Sequence, residues 1–77
     1  MIETIRKVVI DGEWLVGTQT LGDNDDLYAL GLTSHASVEL MLALEDAFDV
    51  EFPERMLKRS TFGSITSLHE ALREIGE

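Results

Sequence analysis

The sequence predicts an all-α fold, a four-helix bundle with a long loop between its first and second helices and a short third helix. Two apolar runs carry that prediction. Ser37, Leu40, Met41, Leu44, Ala47 and Phe48 fall within about 120° of one another on a helix, the width of a core-facing stripe. Ile65, Leu68, Ala71, Leu72 and Ile75 recur at the same period. The third observation is negative: the stretch richest in β-formers, near the N-terminus, shows no clean alternation of apolar and polar residues.

In chain order, Ile2, Ile5, Val8, Val9, Leu15 and Val16 share one helical side between Ile2 and Val16, and Gly12 lies on it too. A helix is the preferred reading. The competing one is a hairpin, because Asp11-Gly12 stands between Val8-Val9-Ile10 and Glu13-Trp14-Leu15-Val16. Such a hairpin would have no sheet to join, and two isolated strands are marginal in water. Ile10 and Trp14 form a second apolar pair, suited to covering the loop that follows. That loop, 17–32, is of a length that is usually functional or packed. Leu21, Leu27, Tyr28, Leu30 and Leu32 cross it and should tuck under the bundle, leaving Asp23, Asn24, Asp25 and Asp26 in water. Gly31 supplies a turn, and Thr33 or Ser34 caps the central helix by accepting an N–H of its first turn. Ser34 is thereby placed at the mouth of the helix. Across Val50 to Arg59, Pro53 suits the first helical position, Glu54 the first turn and Lys58-Arg59 the last, in keeping with the helix dipole. Ser64 caps a final helix ending at Gly76.

Seventy-seven residues make one domain, of a size that buries only about 60–65% of its unfolded surface, so a deep substrate pocket is not expected. The chain has no cysteine, which removes disulfides, thiolate metal sites and thiol nucleophiles of its own. The opening MIETIRKVVI has an acid at its third residue and no sustained apolar core, a poor signal peptide, and no segment approaches membrane-spanning length. A cytoplasmic monomer without membrane association is the expectation. The net charge of −9 matters less than its distribution: Arg6, Lys7, Arg55, Lys58, Arg59 and Arg73 are all the Lys and Arg, and residues 8–54 hold eleven acids and none of these cations. Such a surface repels nucleic acid and favours basic protein patches. Asp23-Asn24-Asp25-Asp26 lacks the ligand alternation and closing glutamate of a calcium loop, so no metal site is expected.

Opposite the stripe of the central helix run His35, Val38, Glu39, Leu42, Glu45, Asp46 and Asp49, an acidic strip with two aliphatic residues in its middle. Val38 and Leu42, four apart, stack into one small apolar spot. The strip reads either as ordinary surface or as a docking face. The string Asp26-Leu27-Tyr28-Ala29-Leu30-Gly31-Leu32, then Thr33-Ser34-His35, Val38-Glu39-Leu40-Met41, Glu45-Asp46-Ala47-Phe48-Asp49 and Phe52-Pro53, resembles the acyl carrier protein family. The resemblance spans essentially the whole chain. It implies one carrier domain, 1–77, folded as a small four-helix bundle that begins with a helix, with a 4′-phosphopantetheine arm on Ser34.

One departure stands out. The family usually has Asp-Ser-Leu around the modified serine, where this chain has Thr33-Ser34-His35. Thr33 keeps the cap but loses a negative charge, and His35 replaces a leucine that in relatives helps partner enzymes dock. Gly31-Leu32-Thr33-Ser34-His35-Ala36 is also similar to carrier proteins loaded with amino acids by ligases akin to seryl-tRNA synthetases.

The residues suit the role so implied. A helix N-terminus favours an anion by roughly 0.3–1 kcal/mol, and an exposed first turn lets a phosphopantetheinyl transferase reach the Ser34 hydroxyl. His35, Val38, Glu39, Leu42, Glu45 and Asp46 then form the docking surface for the loading ligase and for downstream transfer enzymes with basic patches. Met56 and Leu57 either close the core or line an apolar path for the arm. A hydrolase built on Ser34 and His35 is disfavoured: neighbours at a helix start point about 100° apart, and no strand precedes the serine as a nucleophile elbow requires. His69 has no partner at ligand spacing. Three functions therefore compete: an aminoacyl carrier, toward which Thr33 and His35 tilt the reading; an acyl carrier for fatty acid, lipid or polyketide synthesis; and an unmodified acidic adaptor.

Overall fold

The computed structural model describes residues 2–16 and 21–76. Within them lie three α-helices, α1 (Ile2–Asp11), α2 (Ser34–Phe48) and α3 (Ile65–Gly76), and two 3-10 turns, Glu54–Met56 and Arg59–Phe62. No strand occurs among the described residues. α1 packs against both α2 and α3. Ile5 and Val9 of α1, Leu40 and Leu44 of α2, and Ile65, Leu68 and Leu72 of α3 meet at the centre, each 1% exposed or less.

The first helix stops short of Val16. After Asp11 the Gly12 N–H still donates to Val8 O at 3.1 Å, but Glu13 turns left-handed with φ 59°. The Trp14 ring folds back onto Gly12 so closely that a Cβ there would lie 2.2 Å from a ring carbon. Only glycine permits that approach. Trp14 thus covers the end of α1 instead of extending it, and Val16 is 78% exposed outside any helix.

The described part of the first loop is held at both ends of the bundle. Arg6 of α1 donates to Leu21 O and to the Asp23 carboxylate. On the other side the Thr66 backbone N–H donates to Asp23 O at 2.9 Å, and the Leu27 N–H to Gly63 O at 2.8 Å. Leu21, Leu27 and Leu32 are buried as the pattern requires, with Tyr28 and Leu30 half-buried. Asp23 is therefore no free surface acid: it ties α1 to α3. Gly31, at φ 118°, takes the turn into α2 in a conformation closed to other residues.

The segment expected to be a short third helix is two 3-10 turns, with Pro53 at the N-cap of the first and not inside it. Phe52 and Phe62 bracket these turns and pack ring on ring, 5.6 Å apart and tilted by 52°. Met56 is 5% exposed and closes the core, while Leu57 is 48% exposed. Packing of two aromatic anchors ten residues apart fixes this segment, which accounts for turns too short to need helical periodicity. Ser64 caps α3 as expected, its Oγ accepting from the Ser67 N–H at 3.1 Å.

Candidate functional site

α2 begins with a defined cap. Thr33 has extended backbone (φ −96°, ψ 169°) and its Oγ1 accepts the Ala36 N–H at 3.0 Å. Of the two capping residues the pattern allowed, Thr33 takes the role, and Ser34 becomes the first helical residue. Ser34 is exposed. Its carbonyl accepts from Ser37 Oγ at 2.7 Å, and as the first residue of α2 it stands at the positive end of the helix. The last turn of α2 ends on Asp49, left-handed with φ 54°, whose N–H donates to Glu45 O.

The buried face of α2 is rotated from the predicted stripe. Ala36, Leu40 and Leu44 are buried, whereas Ser37, Met41 and Phe48 are half-buried and Ala47 is exposed. Opposite, Val38 is 52% and Leu42 56% exposed, with His35 and Asp46 also in solvent. Glu39 and Glu45 are less free than their neighbours. Glu39 Oε1 accepts the Trp14 indole N–H at 3.0 Å, and His35 Nε2 lies 3.8 Å from Glu39 Oε2. His35 thus lies along the helix toward Glu39. Glu45 Oε2 accepts the Phe52 backbone N–H at 2.8 Å, so this acid holds the chain leaving α2.

A groove of about 530 Å³ opens beside Ser34. Its walls are Val38 and Met41 of α2, with Leu57 and Phe62 from the 3-10 segment. Tyr28, Lys58 and Arg59 line it as well, and the Arg59 guanidinium carbon sits 3.9 Å from the centre of the Tyr28 ring. Among the described residues no carboxylate lines this groove. Residues 14–72 match the family model described as the phosphopantetheine attachment site. The chain belongs to that carrier-protein family. Its cofactor is 4′-phosphopantetheine, which supplies a thiol on which an acyl or aminoacyl group rides as a thioester.

Relatives agree along the length. The chain is 43% identical to the aminoacyl carrier protein of Agrobacterium fabrum (strain C58) over 97% of this chain and 92% of that protein. It also matches, at TM-score 0.90 and 43% identity over 97% of this chain and 99% of the other, a chain in the crystal structure of engineered Bradyrhizobium japonicum glycine:carrier protein ligase complexed with carrier protein from Agrobacterium tumefaciens and ATP. A chain in the Bradyrhizobium japonicum ligase complex with its cognate carrier protein and a glycyl adenylate analogue shares the fold, at TM-score 0.71 and 21% identity over 92% and 97% of the two chains.

The residues of this carrier chain fit the arm. An exposed hydroxyl at a capped helix start offers an attachment point, and an apolar groove with two cations offers a place for a chain carrying one phosphodiester. Of the pattern-derived docking residues, His35, Val38, Leu42 and Asp46 share the outward face, while Val38 also belongs to the groove. Glu39 and Glu45 share that side but serve intramolecular bonds. Of Met56 and Leu57, which the sequence offered either for the core or for an apolar path for the arm, Leu57 lines the groove and Met56 is buried; Tyr28, Arg59 and Phe62 were not singled out by the sequence for this site. Among the described residues no group of three or more His, Asp or Glu is placed to hold a metal, and no helix is long and apolar enough to cross a membrane.

Proposed function

We propose that this chain is an aminoacyl carrier protein, a single domain over 1–77, with Ser34 bearing the phosphopantetheine arm. The observation that carries the reading is the position of Ser34: exposed, first in the capped α2, and at the rim of the groove. A phosphopantetheinyl transferase installs the arm, and an amino acid:carrier protein ligase of the kind that binds the Agrobacterium protein charges it. Partners with basic patches dock on His35, Val38, Leu42 and Asp46, with Glu39 and Glu45 adding charge from behind. The apolar spot is small, as suits partners that must release quickly. The chain acts as a cytoplasmic monomer, leaves catalysis to its partners, and uses its two 3-10 turns as the short third helix of a four-helix bundle.

The test is intact mass after incubation with coenzyme A and a broad phosphopantetheinyl transferase. One phosphopantetheinyl group should add, and Ser34→Ala should add none. Absence of any addition on the folded, unmutated chain would leave the unmodified adaptor. The apolar groove walls favour a second reading within the family, an acyl carrier. Incubating the modified protein with an amino acid ligase, ATP and glycine separates the two, since only an aminoacyl carrier gains the mass of one glycyl residue.

A further inference from the structure

The groove beside Ser34 has walls of one kind and charges of another. Val38, Met41, Leu57 and Phe62 make it apolar, which suits a short acyl chain. Lys58 and Arg59 make it positive, and among the described residues neither joins an ion pair, whereas Arg6 pairs with Asp23 and Arg55 with Glu74. The face of Tyr28 holds the Arg59 guanidinium in place by cation–π attraction. An arm on Ser34 brings one phosphodiester charge, which neutralises one cation of the two. The groove keeps a net positive charge. A neutral cargo entering it loses nothing electrostatically, while a protonated α-amino group is repelled at short range by two solvent-exposed cations, an effect that salt screens.

We propose that Lys58 and Arg59 make this groove a charge filter for the arm's cargo: a neutral acyl group is admitted, and an ammonium-bearing aminoacyl group is turned out to solvent. The inference rests on the arm being attached at Ser34. Charging with an amino acid then releases the arm from the protein surface and displays its end to the next enzyme, with no conformational change in the helices. The free thiol and neutral acyl forms stay sheltered. The apolar walls and the cations thus act in opposite senses on the same cargo, and the ammonium decides between them.

Propionyl and glycyl groups test this cleanly, because they match in size and differ by one charge. Each is linked through a stable amide to a pantetheine analogue and installed on the 15N-labelled protein by the transferase. Amide spectra are recorded at pH about 6.5, where an α-amino group is protonated. The propionyl arm should shift the signals of Tyr28, Val38, Met41 and Leu57, and the glycyl arm should leave them near their unmodified positions. A unit charge at groove distances predicts a roughly threefold to tenfold difference in occupancy, shrinking as salt is raised from about 20 to 500 mM. In K58Q/R59Q the two arms should behave alike, and in K58Q alone the difference should fall by about half. Should the double variant misfold, the salt series on the unmutated protein decides the matter. Equal shifts from both arms, no groove shift from either, or a difference that survives high salt or the double substitution would overturn the filter while leaving Ser34 modified. Failure of the transferase to add any arm would overturn the Ser34 reading as well.

Discussion

Leu44 and Leu42 are the same residue type, two positions apart on α2, and the structure assigns them opposite fates. Leu44 is fully buried in the core, and Leu42 is 56% exposed. Leu44→Ala removes three carbons from the core, forfeiting roughly 2–2.5 kcal/mol at about 0.8 kcal/mol per methylene. The cavity left behind raises the total to about 3–4 kcal/mol. For 77 residues the whole stability is only about 4–12 kcal/mol. The midpoint of unfolding should therefore fall by about 12–30 °C. Leu42→Ala loses less than half of the same transfer energy and leaves no enclosed void, so it should cost at most about 1 kcal/mol and about 4–8 °C. The assay is the circular dichroism melt at 222 nm, paired with the rate of charging by the ligase. Leu42→Ala should lose no more than that in melting and be charged more slowly. Equal melting shifts for the two alanines would refute the assignment of inward and outward faces.

Two further outcomes are expected. Thr33→Ala removes the acceptor of the Ala36 N–H and should cost about 1 kcal/mol, whereas Thr33→Asp should retain the cap and melt within about 0.5 kcal/mol of the unmutated protein; urea denaturation measures both. Asp46→Lys should slow charging and flatten its salt dependence with little change in melting, while Glu45→Lys should also lower the melting point, because it strips the acceptor from the Phe52 N–H.

Helical period in the sequence located α2 and α3 because their buried residues are large and close-spaced. It misjudged the rotation of α2 for a physical reason. Met41 and Phe48 are large enough to dominate a stripe, yet both lie at its edge, and the small Ala36 that is buried adds almost no hydrophobic signal. Asp11-Gly12 did announce a break, and the break is a helix end with Trp14 folded over it, a tertiary contact that periodicity does not encode. Ser34 and the Val38–Leu42 spot were legible because they depend on local spacing. Of the groove only the Leu57 wall was legible: Tyr28 and Arg59 stand 31 positions apart, and the bond from Phe52 to Glu45 crosses the end of a helix.

The site is therefore positioned by the loop as much as by the helix that displays it. Leu27 and Leu32 are buried, the Leu32 N–H donates to Leu27 O at 3.0 Å, and the Leu27 N–H reaches Gly63 beyond the second 3-10 turn. These bonds set Thr33, and so Ser34, at a fixed height beside Lys58 and Arg59. The acidic face of α2 and the cationic side of the groove then meet at one hydroxyl. On the docking proposed above, a partner with a basic patch would be attracted by Asp46, Glu39 and Glu45 and repelled by Lys58 and Arg59, so the same charges that bring it in would also set its angle of approach.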